Sequence, residues 1–386
     1  MIVVVTGGFS GIGAALVDAF SKEGAIVAIA DLQHHPQKQL QPFRATQEGE
    51  MITNSNANSC QSQRHHWFHI DVTNSIQVRN MISKLMEWYG RIDIYCSNAG
   101  ILCQPTAGGG SGSQSSVTQH TDHQWNRIFQ VNTLSHVIAL RELLPYWNKH
   151  GMNLQSDQYS DATSTNQSQR YRRHGRHRRP IFLINASAAG LLTQIGNASY
   201  GVSKGAAVSL AEHIAIEHDN ILQVYCLCPQ AVDTPMVRSA ITSSSNSSTG
   251  KQREQGDESA KGSSWGEKLT YVKGRPLDAT TTTTTKQKAV LNSAMTDGVM
   301  KPWQVAQCTI ETLKAATISS SASTASPSIF IFPHSKVPLY FQRKATDHSR
   351  WIKGMQRLKR HVDLSASSTT STSAKPSTSI LRQSKL

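Results

Sequence analysis

The chain has 386 residues, of which 38% are hydrophobic, and a formal net charge of +14. This length suits one large domain or two ordinary ones, and no apolar stretch approaches the roughly 20 residues that cross a bilayer, so we expect no membrane span. Residues 170–179 hold six Arg, and the chain from Arg343 onward holds ten Lys and Arg against two Asp. One insert and one tail thus carry the whole excess of positive charge, and we interpret both as solvated loops. Nucleic acid is therefore the less favoured partner.

Short apolar runs rich in β-branched residues predict seven buried strands. In chain order they are MIVVVTG (1–7), AIVAIAD (25–31), HWFHID (66–71), IDIYCSNAG (92–100), PIFLINAS (180–187), LQVYCLCP (222–229) and SIFIFP (328–333). Helical patterns lie between them, at 11–24, 75–90, 121–147, 199–218 and 301–316. Continuous apolar strands that alternate with helices are typical of a parallel sheet covered on both faces. The sequence therefore predicts an α/β fold with a Rossmann-type, doubly wound parallel sheet.

Four polar segments interrupt this pattern and are predicted to be flexible insertions. The first is expected to contain a short helix. The segments cover about 33–63, 104–119, 150–179 and 239–298. The rest of 1–362 is predicted to form a single nucleotide-binding domain, and the Ser/Thr-rich tail 363–386 is predicted to be disordered.

The first strand leads directly into the glycine-rich stretch TGGFSGIG, residues 6–13. Gly7, Gly11 and Gly13 let the backbone approach a pyrophosphate, and the helix that follows points its N-terminal amides at that negative charge. Asp31 ends the second strand, 18 residues after Gly13. A carboxylate there can accept hydrogen bonds from both ribose hydroxyls of NAD and would repel the 2′-phosphate of NADP. The sequence therefore predicts NAD as cofactor rather than NADP.

A catalytic group is predicted in NASAAGLLTQIGNASYGVSK, residues 185–204. Tyr200 and Lys204 are four residues apart at the start of a helix and hence on one face. A tyrosine with a pKa near 10 is too weak a base at neutral pH, but Lys204 and a cationic nicotinamide would favour the phenolate. Lowering the pKa by roughly 3 units takes about 4 kcal/mol. Ser187, after the preceding strand, could hold the oxygen of the substrate.

Together these motifs resemble those of the short-chain dehydrogenase/reductase family, of the NAD-preferring kind. The resemblance covers residues 1 to about 362 without the insertions. It implies that Asn132, in FQVNTLS, completes a catalytic tetrad with Ser187, Tyr200 and Lys204. It also implies cofactor contacts from Gly7, Ser10, Gly11, Ile12, Gly13, Asp31, Asp71, Val72, Asn98, Ala99, Gly100, Tyr200, Lys204, Pro229, Val232 and Thr234.

Other features of the resemblance concern the end of the chain and its departures from the family. Residues 329–358 resemble, more loosely, the ends of prostaglandin-dehydrogenase-like members. Gln230 stands where the family usually has Gly.

The family resemblance implies a homodimer or homotetramer. His65, His66 and His69 lack the Cys or carboxylate spacing of a metal site, so no metal is predicted.

The expected reaction is NAD-dependent interconversion of a secondary alcohol and a ketone by hydride transfer. Tyr200 would act as general base, Lys204 would lower its pKa and hold the nicotinamide ribose, and Ser187 would steady the substrate oxygen. Asn132 would place a water that links Lys204 to solvent. Two alternatives remain, an NADPH-dependent carbonyl reductase and a catalytically silent nucleotide-binding protein.

The chain ends in Ser384-Lys385-Leu386 at the tip of a Ser/Thr/Pro-rich tail. This tripeptide is a peroxisomal address that an import receptor reads, not a membrane anchor. We therefore expect a peroxisomal protein, with the cytoplasm as the alternative. A peroxisomal location would associate the enzyme with a lipid-derived substrate.

Overall fold

The computed structural model describes residues 1–33, 51–53, 64–103, 117–156, 179–193, 198–239, 298–319 and 328–368. The predicted insertions fall largely outside these ranges, as does the chain after residue 368. Within the described ranges, every helix is too short or too polar to cross a lipid bilayer.

One eight-stranded sheet forms the centre of the described structure. Its strands are β1 (Ile2–Thr6), β2 (Ile26–Asp31), β3 (Met51–Thr53), β4 (Arg64–His69), β5 (Ile94–Ser97), β6 (Ile181–Asn185), β7 (Gln223–Leu227) and β8 (Phe330–Ile331). Their order across the sheet is β3-β4-β2-β1-β5-β6-β7-β8, and only the β3–β4 pair is antiparallel. The predicted doubly wound α/β fold is confirmed, and each predicted strand forms.

Helices cover both faces of this sheet. They are α1 (Gly11–Lys22), α2 (Ser75–Tyr89), α3 (Asp122–Phe129), α4 (Ser135–Ser156), α5 (Ala188–Leu191), α6 (Ala198–Glu217), α7 (Pro302–Ser319), α8 (Lys336–Thr346) and α9 (His348–Ser368). Apolar residues of α2, α4 and α6 bury one face of the sheet. Residues of α1 and α7 bury the other. The apolar runs thus form strands because both of their faces are covered.

The structure differs from the expected elements in three places. The first polar segment contributes β3, an unexpected strand, because residues 51–53 pair with the outer edge of β4; the rest of this segment, with the short helix expected in it, lies outside the described residues. Helix α4 continues through Ser156, past the expected start of an insertion at 150. The pattern over 121–147 is divided by a π-helix, Gln130–Leu134, which joins α3 to α4. Such bulges are common at functional sites, and this one contains Asn132.

The sheet topology fixes where a ligand can bind. The chain reverses its direction of winding at β1, which lies between β2 and β5. In open sheets of this kind, the crevice for ligands lies outside the carboxyl ends of the strands at that reversal. The glycine-rich stretch follows β1 at this edge.

Candidate active site

A cavity lies at the carboxyl ends of β1, β5, β6 and β7. It is lined by the glycine-rich stretch, by the segment after β5, by α6 and by the segment after β7. The predicted site residues in its wall are Gly7, Ser10, Gly11, Ile12, Gly13, Asn98, Ala99, Gly100, Ser187, Tyr200, Lys204, Pro229, Val232 and Thr234. The structure brings these residues together, whereas Asp31, Asp71, Val72 and Asn132 lie outside the lining.

The glycine-rich stretch is packed so closely that side chains would not fit. A Cβ on Gly13 would lie 2.0 Å from the carbonyl oxygen of Gly7 and 2.6 Å from Nδ2 of Asn98. Gly7 has a φ of 65°, in the left-handed region that favours glycine. The hydroxyl of Thr6 accepts hydrogen bonds from the backbone N–H groups of Asn98 and Ala99. This cradle fits a group that must approach the backbone, such as a dinucleotide phosphate.

Asp31 lies beside this stretch, at the end of β2. One oxygen of its buried carboxylate accepts a hydrogen bond from the N–H of Phe9, and the other accepts one from Gln33, each at 3.0 Å. Asp71 follows the neighbouring strand β4. Its Oδ1 accepts hydrogen bonds from Thr73, and its Oδ2 lies 3.8 Å from the guanidinium of Arg127. Both carboxylates are therefore held in place by the chain itself.

Ser187, Tyr200 and Lys204 meet at the other end of the cavity. Ser187 is the N-cap of α5, and its Oγ accepts a hydrogen bond from the N–H of Ala189. The Ser187 hydroxyl also forms a hydrogen bond with the hydroxyl of Tyr200. The ammonium nitrogen of Lys204 lies 5.9 Å from the centre of the Tyr200 ring and donates to the carbonyl of Asn185 at 2.7 Å. A proton donor or acceptor and a cation thus share one wall.

Burial shifts the pKa values of this pair toward the neutral forms of both side chains. Burial raises the pKa of Tyr200, and the hydrogen bond from Ser187 offsets only part of that rise. Burial also lowers the pKa of Lys204 to about 8, against the opposing effect of the nearby Cys226 and Cys228 thiols. The expected lowering of the Tyr200 pKa by Lys204 is therefore not a property of the chain alone, because a buried phenolate loses its hydration.

Asn132 has a structural partner for each side-chain atom. Its Oδ1 accepts from the N–H of Ile101 at 2.8 Å, and its Nδ2 donates to the carbonyl of Ile101 and to Oγ of Ser203. A Cβ on Gly100 would lie 3.3 Å from Asn132 Oδ1 and 3.4 Å from Lys204 Nζ, so the two side chains are neighbours across this glycine. Asn132 therefore ties the segment after β5 to α6 beside the ammonium group.

His136 is a buried residue beside this site that the sequence reading missed. It lies one helical turn after Asn132, and its Nδ1 is 2.6 Å from the hydroxyl of Ser97. Burial, with a smaller effect from the charge of Lys204, lowers the pKa of His136 to about 3. The signal available in the sequence was a single histidine on the apolar face of a helix, which more often is a core residue.

Cys226 and Cys228 lie on the same face of the sheet, with their sulfur atoms 3.8 Å apart in the core. Among the described residues, no group of His, Cys, Asp and Glu has the arrangement of a metal site. Two of the three histidines of β4, His65 and His66, are likewise buried.

Comparisons with known proteins agree with this geometry. The family model described as short chain dehydrogenase matches residues 1–153. The chain is 30% identical over 241 residues to the short-chain dehydrogenase fogB of Aspergillus ruber, a match that covers 61% of this chain and 76% of that protein. It is 26% identical over 240 residues to short chain aldehyde dehydrogenase 1 of Euphorbia lathyris, covering 62% of this chain and 66% of the relative, or about two thirds of its length.

A solved structure shares the fold. The 3-ketoacyl-(acyl-carrier-protein) reductase of Brucella melitensis, complexed with NADH, superposes with a TM-score of 0.53 at 18% identity, over 86% of this chain and 96% of that chain. The motifs, the sheet topology and the matched relatives lead to one conclusion: the chain belongs to the short-chain dehydrogenase/reductase family.

Proposed function

We propose that this oxidoreductase interconverts a secondary alcohol and a ketone with NAD as cofactor. The observation that carries the proposal is the hydrogen bond between the hydroxyls of Ser187 and Tyr200, with the Lys204 ammonium beside them. The group shares one cavity with the glycine-rich stretch. A hydroxyl pair that can hold a substrate oxygen is thus within the same crevice as the dinucleotide cradle.

Each residue has a role that follows from its contacts. Ser187 orients the substrate hydroxyl, and Tyr200 removes the proton from its oxygen. When bound, NAD supplies the hydride acceptor and a cationic ring near the tyrosine. Because burial raises the pKa of Tyr200, the phenolate forms only where Lys204 and that ring offset the lost hydration. The fixed hydroxyls then stabilise the charge that develops on the substrate oxygen.

The preference for NAD is argued from Asp31. Its carboxylate is fixed by the N–H groups of Phe9 and Gln33, so it cannot turn away from a ribose placed at the end of β2. A negative charge held there favours ribose hydroxyls as hydrogen-bond donors and repels a 2′-phosphate.

Turnover measurements test the proposal. The purified chain would be assayed with NAD⁺ and NADP⁺ over a panel of 3-hydroxyacyl-CoA, hydroxy fatty acids and steroids, with reduced nicotinamide as the readout. Tyr200→Phe should lower kcat by a factor of 10²–10⁴ while NADH still binds. Tyr95→Phe, in the core of β5, is the matched control and should keep its turnover.

Three results would contradict this proposal in different ways. Full turnover by Tyr200→Phe would reject the general base. A wild type that prefers NADP⁺ would favour the carbonyl reductase. NADH binding without turnover of any panel member would favour the silent binding protein.

The cell compartment and the assembly of the protein stay predictions. Ser384-Lys385-Leu386 lies outside the described residues. An N-terminal fluorescent fusion should co-localise with a peroxisomal marker, and deletion of the tripeptide should leave it in the cytoplasm. A fusion that is cytoplasmic with the tripeptide intact would reject the peroxisomal address.

Light scattering would test the predicted homodimer or homotetramer, since a monomeric mass would contradict both.

A further inference from the structure

The segment Pro229–Val232, which we call the β7 loop, forms one wall of the cavity. The carbonyl of Pro229 accepts a hydrogen bond from the N–H of Ala188 at 2.9 Å and lies 3.3 Å from Oγ of Ser187. The position of this loop therefore bears directly on Ser187, the residue that orients the substrate in the proposed function.

The downstream half of the β7 loop is held by a short bridge. The N–H of Met300 donates to the carbonyl of Ala231 at 2.9 Å, and the N–H of Asp233 donates to the carbonyl of Met300 at 2.8 Å. The Asp233 carboxylate also forms ion pairs with Arg238 and Lys301. These contacts fix the loop after residue 231.

The upstream half is held by a side chain that is about a hundred residues away in sequence. His334 follows β8 and is only 1% exposed. Its Nδ1 is 3.1 Å from the N–H of Gln230, and its Nε2 is 3.1 Å from the carbonyl oxygen of Ala231. Because a backbone N–H can only donate and a carbonyl can only accept, Nδ1 accepts and Nε2 donates. The neutral ring with its proton on Nε2 satisfies both contacts.

We propose that His334 is a positioning residue for catalysis. Its ring holds the backbone of Gln230 and Ala231, and thereby keeps the Pro229 carbonyl against Ser187 and the wall of the cavity in place. The inference rests on the proposed function, in which Ser187 orients the substrate. It assigns to the segment after β8 a part in the active site, although His334 itself does not line the cavity.

The first test measures the loop without any ligand or turnover. Amide hydrogen exchange would be followed by mass spectrometry on a peptide that contains Gln230, in the full chain. His334→Leu removes the acceptor for the Gln230 N–H, so exchange at this amide should become at least tenfold faster than in the wild type. An unchanged rate would overturn the proposal.

The second test separates positioning from general stability. His334→Leu should lower kcat about tenfold, whereas the dissociation constant for NADH should change less than threefold. The glycine-rich stretch and Asp31 are untouched, and Val232, a predicted cofactor contact in the β7 loop, stays held by the bridge to Met300. His334→Asn keeps an acceptor at the position of Nδ1 and should bring kcat to within threefold of the wild type. The Ala231 carbonyl still accepts from Met300 in this variant.

Val337→Ala is the matched control, since Val337 is buried in the core three residues after His334. It should lower the melting temperature and leave kcat unchanged. Wild-type kcat in His334→Leu, or an equal loss of kcat in His334→Leu and His334→Asn, would overturn the inference. Failure of the wild type itself to turn over would reject the proposed function instead, and the exchange rates would still decide whether His334 holds the loop.

Discussion

The two ends of the cavity are built from different polar interactions. At the glycine-rich end, the backbone of residues 6–13 packs closely against itself, and two backbone N–H groups hold the Asp31 carboxylate. At the catalytic end, ionisable side chains are buried, and their pKa values move away from the charged forms of Tyr200, Lys204 and His136. Ligand binding at the nucleotide end should therefore depend on close backbone packing. Catalysis at the other end should depend on the protonation of side chains whose charged forms are destabilised by burial.

This difference implies that NADH affinity and kcat can be lowered independently of each other. The largest effects are expected from two glycine substitutions, one at each end. Gly13→Ala forces the glycine-rich stretch apart, since its Cβ would lie 2.0 Å from a backbone oxygen. Gly190→Ala places a Cβ 2.5 Å from the carbonyl of Lys204 and displaces α6 from α5. We expect Gly13→Ala to weaken NADH binding at least a hundredfold, and Gly190→Ala to lower kcat by a similar factor with a much smaller loss of NADH affinity.

Titration of NADH fluorescence and steady-state kinetics would measure the two effects. Gly354→Ala serves as the control, because a Cβ there meets open space in α9, and both parameters should stay at wild-type values. If both cavity variants changed affinity and kcat in equal proportion, the separation of the two ends would be wrong.

A smaller effect is expected at the nucleotide end from Asp31→Ser. The substitution removes the carboxylate that would repel a 2′-phosphate and leaves a short hydrogen-bonding group at the end of β2. The ratio of kcat/KM for NAD⁺ to that for NADP⁺ should fall roughly thirtyfold, or about 2 kcal/mol. Asp18→Ser, in the exposed ion pair with Lys22, is the control. An unchanged ratio would mean that Asp31 does not set the cofactor preference.

The smallest effect concerns acid stability at the catalytic end. His136 has a pKa of about 3 in the folded chain and about 6.5 when unfolded, so the unfolded chain binds the extra proton as pH falls. Stability is therefore lost on acidification below pH 6.5, by roughly 1.5 kcal/mol between pH 6.5 and 5 from this residue. His136→Asn keeps an acceptor for Ser97 without titrating, so its urea midpoint should vary less over this range. Parallel pH profiles for both proteins would contradict the assignment.

The sequence predicted the features that depend on local pattern. The seven apolar runs became strands because their hydrophobic residues are continuous, and TGGFSGIG followed β1 as expected. Ser187 and Tyr200 line one cavity, in agreement with the catalytic group predicted within residues 185–204. The roles of these residues remain predictions.

The features that the sequence did not predict depend on distant contacts. The π-helix accompanies an Asn132 amide that binds Ile101 and Ser203, the latter 71 residues away. The raised pKa of Tyr200 depends on burial by the whole fold, which a Tyr-x-x-x-Lys spacing does not encode. Strand β3 has three residues and exists through pairing with β4. His334 reaches the site because β8 pairs with β7, a contact between segments about a hundred residues apart.

The position of β8 has a consequence for the order of folding. The N–H of Cys228, at the cavity end of β7, donates to the carbonyl of Ile331, the last residue of the two-residue strand β8. During synthesis, this partner leaves the ribosome 127 residues after Lys204. A nascent chain that already contains the whole glycine-rich stretch and the Tyr200–Lys204 helix therefore still lacks the residues that hold the β7 loop, Met300 and His334. The cavity should therefore be completed only after β8 has left the ribosome.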